Sequence, residues 1–112
     1  MNEIIEMATR LGRAIARCPQ SEALRKARAE MNAQKDVMQL LRDFQKQSEK
    51  IAELQENDKP VEVEDKHKLD ELHEQLVSKE AFKKFTAAQV EYVDMMRKVN
   101  TAISTALGGA EE

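Results

Sequence analysis

The chain has 112 residues, with 18 Lys or Arg against 21 Asp or Glu and a formal net charge of -3 at pH 7. This length suits one modest domain, and the charge balance gives no global attraction to nucleic acids or anionic membranes. Charged residues make up 35% of the sequence and aromatic residues 4%, with three Gly and two Pro, a composition typical of long solvated helices that argues against a turn-rich β fold.

The amino-terminal segment predicts an amphipathic helix that ends near Cys18. Pro19 is expected to end it, because the residue before a proline avoids the α conformation. The apolar residues of this helix recur at helical spacing, at Ile4, Ala8, Leu11 and Ile15.

A short second helix is predicted after this joint. Ser21 is a suitable N-cap, since its hydroxyl can accept a hydrogen bond from an unpaired backbone N–H group. Glu22 in the first turn then suits the positive end of the helix dipole. The apolar residues of this helix are Leu24, Ala27 and Met31.

A longer third helix is predicted to begin at Asp36, because Asp36 and Gln39 have the spacing of a capping box. It ends at the turn signal from Glu56 to Pro60. Its apolar positions follow coiled-coil steps of three and four residues for about two and a half heptads. They are Val37, Leu40, Phe44, Gln47, Ile51 and Leu54.

The segment after Pro60 predicts a short fourth helix. Its alternation of apolar and acidic residues suggests a strand, but the spacing of Leu69, Leu72 and Leu76 fits a helix better. No partner strand is visible elsewhere in the sequence.

The fifth helix is expected to run from Lys79 to about Leu107, capped by Ser78 and stopped by Gly108 and Gly109. At ~1.5 Å per residue it is on the order of 40 Å long. Its apolar side is wider than a two-stranded coiled coil needs. We therefore expect neighbours on several sides, supplied by a bundle or by an oligomer.

Both long helices carry a glutamine in the apolar seam. Gln47 and Gln89 either pair and specify register and oligomeric state, or lie at seam edges in contact with water, and the sequence leaves both interpretations open. The residues predicted to form the oligomer and core seams are Leu40, Phe44, Gln47, Ile51, Phe82, Phe85, Gln89, Tyr92, Met96, Val99 and Ile103.

No residue pattern predicts catalysis, and neither a metal nor a cofactor is expected. A general acid or base needs a desolvated cleft to shift its pKa, whereas the carboxylates from Glu62 to Glu74 lie in a mostly charged run. A structural role is favoured for Cys18, because no second cysteine or nearby histidine accompanies it. A redox-sensitive thiol beside Arg17 is the alternative.

Basic residues cluster near the amino terminus. Arg10, Arg13 and Arg17 line one face of the first helix, whereas the region from Glu53 to Glu80 is markedly acidic. We consider three roles for these arginines. The first in order of preference is a complementary surface of a homo-oligomer, the second is a docking site for an acidic partner, and the third is an RNA-contacting stripe. Direct nucleic-acid binding is disfavoured because no aromatic residues are present there for bases to stack on.

The order of these features resembles the YlbF/YmcA-like family of small helical bacterial regulators associated with competence and biofilm control. The resemblance covers about residues 4–105. It lies in MATRLGRAIARC, in SEALRKARAEMNAQKDVMQLLRDFQKQ and, after an acidic linker helix, in EAFKKFTAAQVEYVDMMRKVNTAI. It implies long antiparallel helices, self-association and action through protein contacts. Some relatives carry cysteines near the carboxyl terminus that are associated with an iron–sulfur cluster, and the tail TAISTALGGAEE has none.

Together these observations predict an all-α fold of long antiparallel helices with shorter flanking helices, a bundle completed by oligomerisation. Residues 4–107 form a single helical domain and residues 108–112 a short flexible tail. With no signal peptide or apolar span of ~20 residues, we expect a cytoplasmic, non-enzymatic adaptor or scaffold that binds itself and other cytoplasmic proteins. The alternatives are a thiol- or iron–sulfur-dependent sensor centred on Cys18, or an RNA-associated module that uses the arginine stripe.

Overall fold

A computed structural model of the protein describes residues 2–108. Within that range the chain is all-α, as expected, and contains no strand. It divides into two compact units, the terminal unit of residues 2–28 and 85–108 and the central unit of residues 29–84. Gly109 and the rest of the predicted tail lie outside the described residues. The five helices are α1 (Glu3–Arg17), α2 (Pro19–Asn32), α3 (Lys35–Glu56), α4 (Val63–Val77) and α5 (Glu80–Ala106).

The second helix begins at Pro19 and not after Ser21. The Glu22 N–H donates to the carbonyl oxygen of Cys18 at 3.1 Å, and the backbone of Cys18 is extended, so Cys18 takes the N-cap position of α2. Pro19 suits the first helical position, because its φ is already helical and its missing N–H would be unpaired there. The prediction that Ser21 caps α2 is therefore wrong, and Ser21 lies buried in the first turn.

The start of α3 also differs from the prediction. The helix begins at Lys35, and Gln34 precedes it without a side-chain cap, so Asp36 lies inside the first turn instead of capping it. The Asp36 carboxylate accepts a hydrogen bond from Lys79 Nζ at 3.0 Å. This ammonium group is the main reason that the pKa of Asp36 lies below its ordinary value.

The link between α3 and α4 follows the predicted turn. The third helix ends at Glu56, and Asp58 has a φ of 56° in the left-handed region. The alternating segment that follows forms α4, which confirms the helix over the strand. The start of α4 is stabilised by the Asp65 carboxylate, which accepts from the Glu62 N–H at 3.2 Å.

The fifth helix is capped differently than predicted. The Ser78 hydroxyl donates to the Gln75 carbonyl oxygen at 2.6 Å and so belongs to the end of α4. The Lys83 N–H donates to the Lys79 carbonyl oxygen, which places Lys79 at the N-cap position of α5. The carboxyl end agrees with the prediction, since Gly108 follows the helix with a φ of 82° that glycine adopts without steric cost. With 27 residues, α5 is about 40 Å long.

In the central unit α3 and α4 pack against each other in opposite directions. The core of this pair contains Val37 and Leu76, whose side chains are fully buried. Three contacts show this direction, because the start of α3 contacts the joint that follows α4, whereas a later part of α3 contacts the start of α4. They join Asp36 to Lys79, Phe44 to His73 and Lys50 to Asp65.

Gln47 joins α3 to α4 through a buried hydrogen bond. It is only 5% exposed, and its Nε2 donates to the carbonyl oxygen of Asp65 at 2.9 Å. The carboxylate of the same Asp65 pairs with Lys50 Nζ at 3.0 Å, which is the main reason that the pKa of Asp65 is lowered. A buried amide is tolerated when it is hydrogen-bonded. The partner of Gln47 is thus a backbone carbonyl of its own unit, whereas Gln89 is exposed.

Candidate interaction surface

The helix α1 keeps its apolar face exposed. None of its 15 residues, all of which the structure describes, is buried. At about 100° per residue, its apolar residues occupy about 200° of the helix circumference. Ile4 is 75% exposed and Ile5 58%, and Met7 and Leu11 are exposed as well. Amphipathic helices of globular proteins normally bury such a face, so this one is suited to contact with another molecule.

The last turns of α5, which belong to the same unit, show a similar exposure. Leu107, which directly follows the helix, is 81% exposed and Ile103 is 45% exposed, whereas Met96 and Val99 are half-buried. Among these seam residues of α5, Ile103 near the carboxyl end is therefore less covered than Met96 and Val99 before it.

A groove of about 420 Å³ lies within the terminal unit, between α1, α2 and the middle of α5. Its lining mixes apolar side chains with polar groups, which include two arginines. One of them, Arg28, has its guanidinium carbon 5.5 Å from the centroid of the Phe85 ring, a distance typical of a cation–π contact. The lining residues are Gly12, Ile15, Ala16, Ser21, Leu24, Arg25, Arg28 and Tyr92.

Gly12 is unusual among the residues of this groove. It lies in the middle of α1, where glycine is less favourable than alanine by about 1 kcal/mol. A methyl group added at its Cα would meet nothing within 4 Å beyond its own helix backbone. Packing within the described chain therefore does not require a glycine at this position.

The Cys18 thiol lies at the joint between α1 and α2. Its Sγ is half-buried and 3.4 Å from Ser21 Oγ. The Ser21 hydroxyl, followed by the backbone N–H of Ser21 and of Gln20, lowers the pKa of this thiol by hydrogen-bonding the thiolate, while burial acts in the opposite direction. Among residues 2–108 no three His, Cys, Asp or Glu side chains cluster in a way that could hold a metal ion.

The residues that the sequence predicted as seams are divided between the two units. In the central unit Gln47 is buried, and half-buried positions are occupied by Leu40, Phe44, Ile51 and Phe82. In the terminal unit Gln89 and Ile103 are exposed, and half-buried positions are occupied by Phe85, Tyr92, Met96 and Val99. The predicted basic face is exposed at all three arginines, Arg10, Arg13 and Arg17.

The sequence of the chain matches a known protein family. The family model described as control of the competence regulator ComK, YlbF/YmcA, matches residues 4–108. The chain belongs to the YlbF/YmcA family. The resemblance inferred from the sequence is thereby confirmed, and with it membership in a family of competence regulators that are not known as enzymes. A search of curated proteins finds no significant match.

The sequence of this YlbF/YmcA-family chain did not predict two features of the candidate surface, the exposed apolar face of α1 and the groove beside it. The apolar residues of α1 were predicted only as one side of an amphipathic helix, and the groove beside Gly12 was not predicted. A glycine in the middle of a helix with a wide apolar face was the signal available. Within residues 2–108, no helix is long and apolar enough to cross a membrane.

Proposed function

We propose that this YlbF/YmcA-family protein is a non-enzymatic regulatory adaptor or scaffold that associates with itself and with other proteins through its helix faces. The observation that carries the proposal is the exposed apolar surface of the terminal unit, above all Ile4 and Ile5 on α1, Ile103 on α5 and Leu107 directly after it. Single exposed apolar side chains are ordinary. An apolar face of about 200° without one buried residue is not.

The free energy available from covering this surface is considerable. Fully burying an isoleucine or leucine side chain is worth about 1.5–3 kcal/mol. Four such side chains that are between 45% and 81% exposed therefore offer several kcal/mol to a complementary partner. The cost of association must be subtracted from this gain, so the partner also has to fit the surface in shape.

The distribution of charge supports association between copies of the chain. The first 28 residues carry six basic and three acidic side chains, a net charge of +3, and the central unit carries ten basic and fourteen acidic side chains, a net charge of -4. Opposite potentials on these two parts of the chain attract copies of the chain to one another and favour correctly oriented encounters.

Size-exclusion chromatography with light scattering tests self-association. We expect the mass of a dimer or larger oligomer at micromolar concentration, and a stable monomer would contradict the proposal. Ile103→Asp should lower the mass, because it places a charge on the apolar surface. Val63→Asp is the matched control, since Val63 is equally apolar and 70% exposed but belongs to the central unit.

Affinity purification after mild crosslinking tests the adaptor role, with one half of the sample treated with ribonuclease and the other half left untreated. A stoichiometric protein partner that survives ribonuclease supports it. Recovery of partners only without ribonuclease would favour the RNA-associated alternative, in which binding through Arg10, Arg13 and Arg17 weakens steeply with salt.

A second candidate function is a thiol sensor at Cys18, which the lowered pKa of this thiol favours. The rate of alkylation of the native protein should rise with pH and reach half of its maximum below the value of an ordinary thiol. Ser21→Ala should shift this profile to higher pH, because it removes the main hydrogen bond to the thiolate. Anaerobically purified protein without absorbance between about 320 and 420 nm would remove the iron–sulfur variant of this candidate.

A further inference from the structure

One face of α1 carries a large side chain at one end and small residues at the other. Ile5, Gly12 and Ala16 lie within about 40° of one another around the helix axis. Ile5 is 58% exposed, whereas Gly12 and Ala16 form one wall of the groove. The free space at Gly12 thus lies on the same face as an uncovered isoleucine.

Two copies of such a helix complement each other when they run in opposite directions. A twofold axis then places the amino-terminal half of each α1 beside the carboxyl-terminal half of the other, so every contact is made twice. Residues four apart on a helix flank a hole that accepts a side chain from a facing helix. Ile5 of one copy can enter the hole between Gly12 and Ala16 of the other, which gives the glycine a packing role.

The charges on α1 favour the same orientation. The half of the helix that contains Ile5 also contains Glu3 and Glu6, whereas the half that contains Gly12 also contains Arg13 and Arg17. With Ile5 in the hole, Glu6 of one copy lies on the same side of the helix pair as Arg13 of the other. A parallel pair would bring acidic residues against acidic residues, and antiparallel helix dipoles attract.

We propose that this protein forms a twofold dimer in which the two α1 helices pack antiparallel, with Ile5 of each copy seated between Gly12 and Ala16 of the other. This inference rests on the self-association proposed above and names its contact. A second copy of the same chain thus packs against the groove wall at Gly12.

Disulfide crosslinking between two single-cysteine variants tests the pairing. In a Cys18→Ser background, Ile5→Cys protein is mixed with Ala16→Cys protein under mild oxidation. A disulfide needs Cα atoms within about 7 Å of each other, so the antiparallel pair predicts a covalent dimer that contains one chain of each variant. Both substituted positions are exposed, as is Val63, whose Val63→Cys variant is the matched control and should not crosslink with either.

The outcomes separate this inference from the proposed function. Crosslinks within the Ile5→Cys sample alone would indicate parallel helices and overturn the inference. A mixture that crosslinks no better than the Val63→Cys control would also overturn it, while a dimer in light scattering would leave self-association intact. A monomer in light scattering would contradict both.

Charge reversal provides an independent measurement of the orientation. Glu6→Arg and Arg13→Glu should each raise the dimer dissociation constant about tenfold, since the lost attraction and new repulsion occur twice per dimer. The double variant should return to within about threefold of the original value. Two effects that simply add, without this rescue, would overturn the antiparallel register. Lys66→Glu, an exposed charge reversal in the central unit, is the control.

Discussion

Gly12→Ala is the substitution with the clearest expected sign. It should stabilise the dilute protein, because alanine is more favourable than glycine in a helix interior by about 0.5–1 kcal/mol. The added methyl group meets nothing within 4 Å, so no steric cost within the chain offsets this gain. Unfolding entropy of about 2.1 cal/mol/K per residue amounts to about 0.24 kcal/mol/K for 112 residues. The melting temperature should therefore rise by about 2–4 °C.

Thermal melting followed by circular dichroism measures this change at two protein concentrations. At low concentration, where the chain is monomeric, the full increase is expected. At high concentration the increase should shrink, because the methyl group occupies part of the hole that receives Ile5 of the second copy. Ala14→Gly, the reverse change at an exposed position of the same helix, should lower the melting temperature by a similar amount.

Two results would refute this reasoning. A lower melting temperature of dilute Gly12→Ala protein would show that the chain itself needs the glycine, either for packing or for backbone freedom. An increase that is equal at both concentrations would show that no second copy approaches Gly12.

Three further predictions concern the central unit. Leu76→Ala should lower the free energy of unfolding by about 2–5 kcal/mol in a denaturant titration, because Leu76 is only 1% exposed. Gln47→Ala should cost about 2–3 kcal/mol, since it removes a buried side chain and its hydrogen bond, whereas the exposed Gln89→Ala should stay within about 0.5 kcal/mol. The lowered pKa of Asp65 stabilises the fold above the ordinary carboxyl pKa of about 4, and this contribution is lost as the pH falls through the lower folded value. Asp65→Asn should therefore flatten the acid limb of the stability profile, and an unchanged limb would show that the ion pair with Lys50 contributes nothing there.

The helices themselves were predictable, because their signals are local. Apolar periodicity, Pro19 and Gly108 identified the first helix and the end of the fifth, and the leucines of α4 correctly outweighed a strand-like alternation. The helix starts were less predictable. Asp36 looked like an N-cap, but its carboxylate contacts Lys79, which is 43 residues away in the sequence. The residues next to Asp36 in the sequence do not show whether its carboxylate caps the helix or contacts a distant side chain.

Which apolar faces stay exposed could not be predicted, because exposure depends on contacts between residues that are distant in the sequence. Leu76 and Ile4 occupy similar apolar positions on amphipathic helices, yet one is 1% exposed and the other 75%. Both contribute equally to the periodicity of their helices, since that pattern records only which side chains share a face. The sequence by itself determined that the chain forms helices with apolar faces. Only the tertiary structure decided which of those faces its own helices cover, because burial depends on residues that are distant in the chain and come together only on folding.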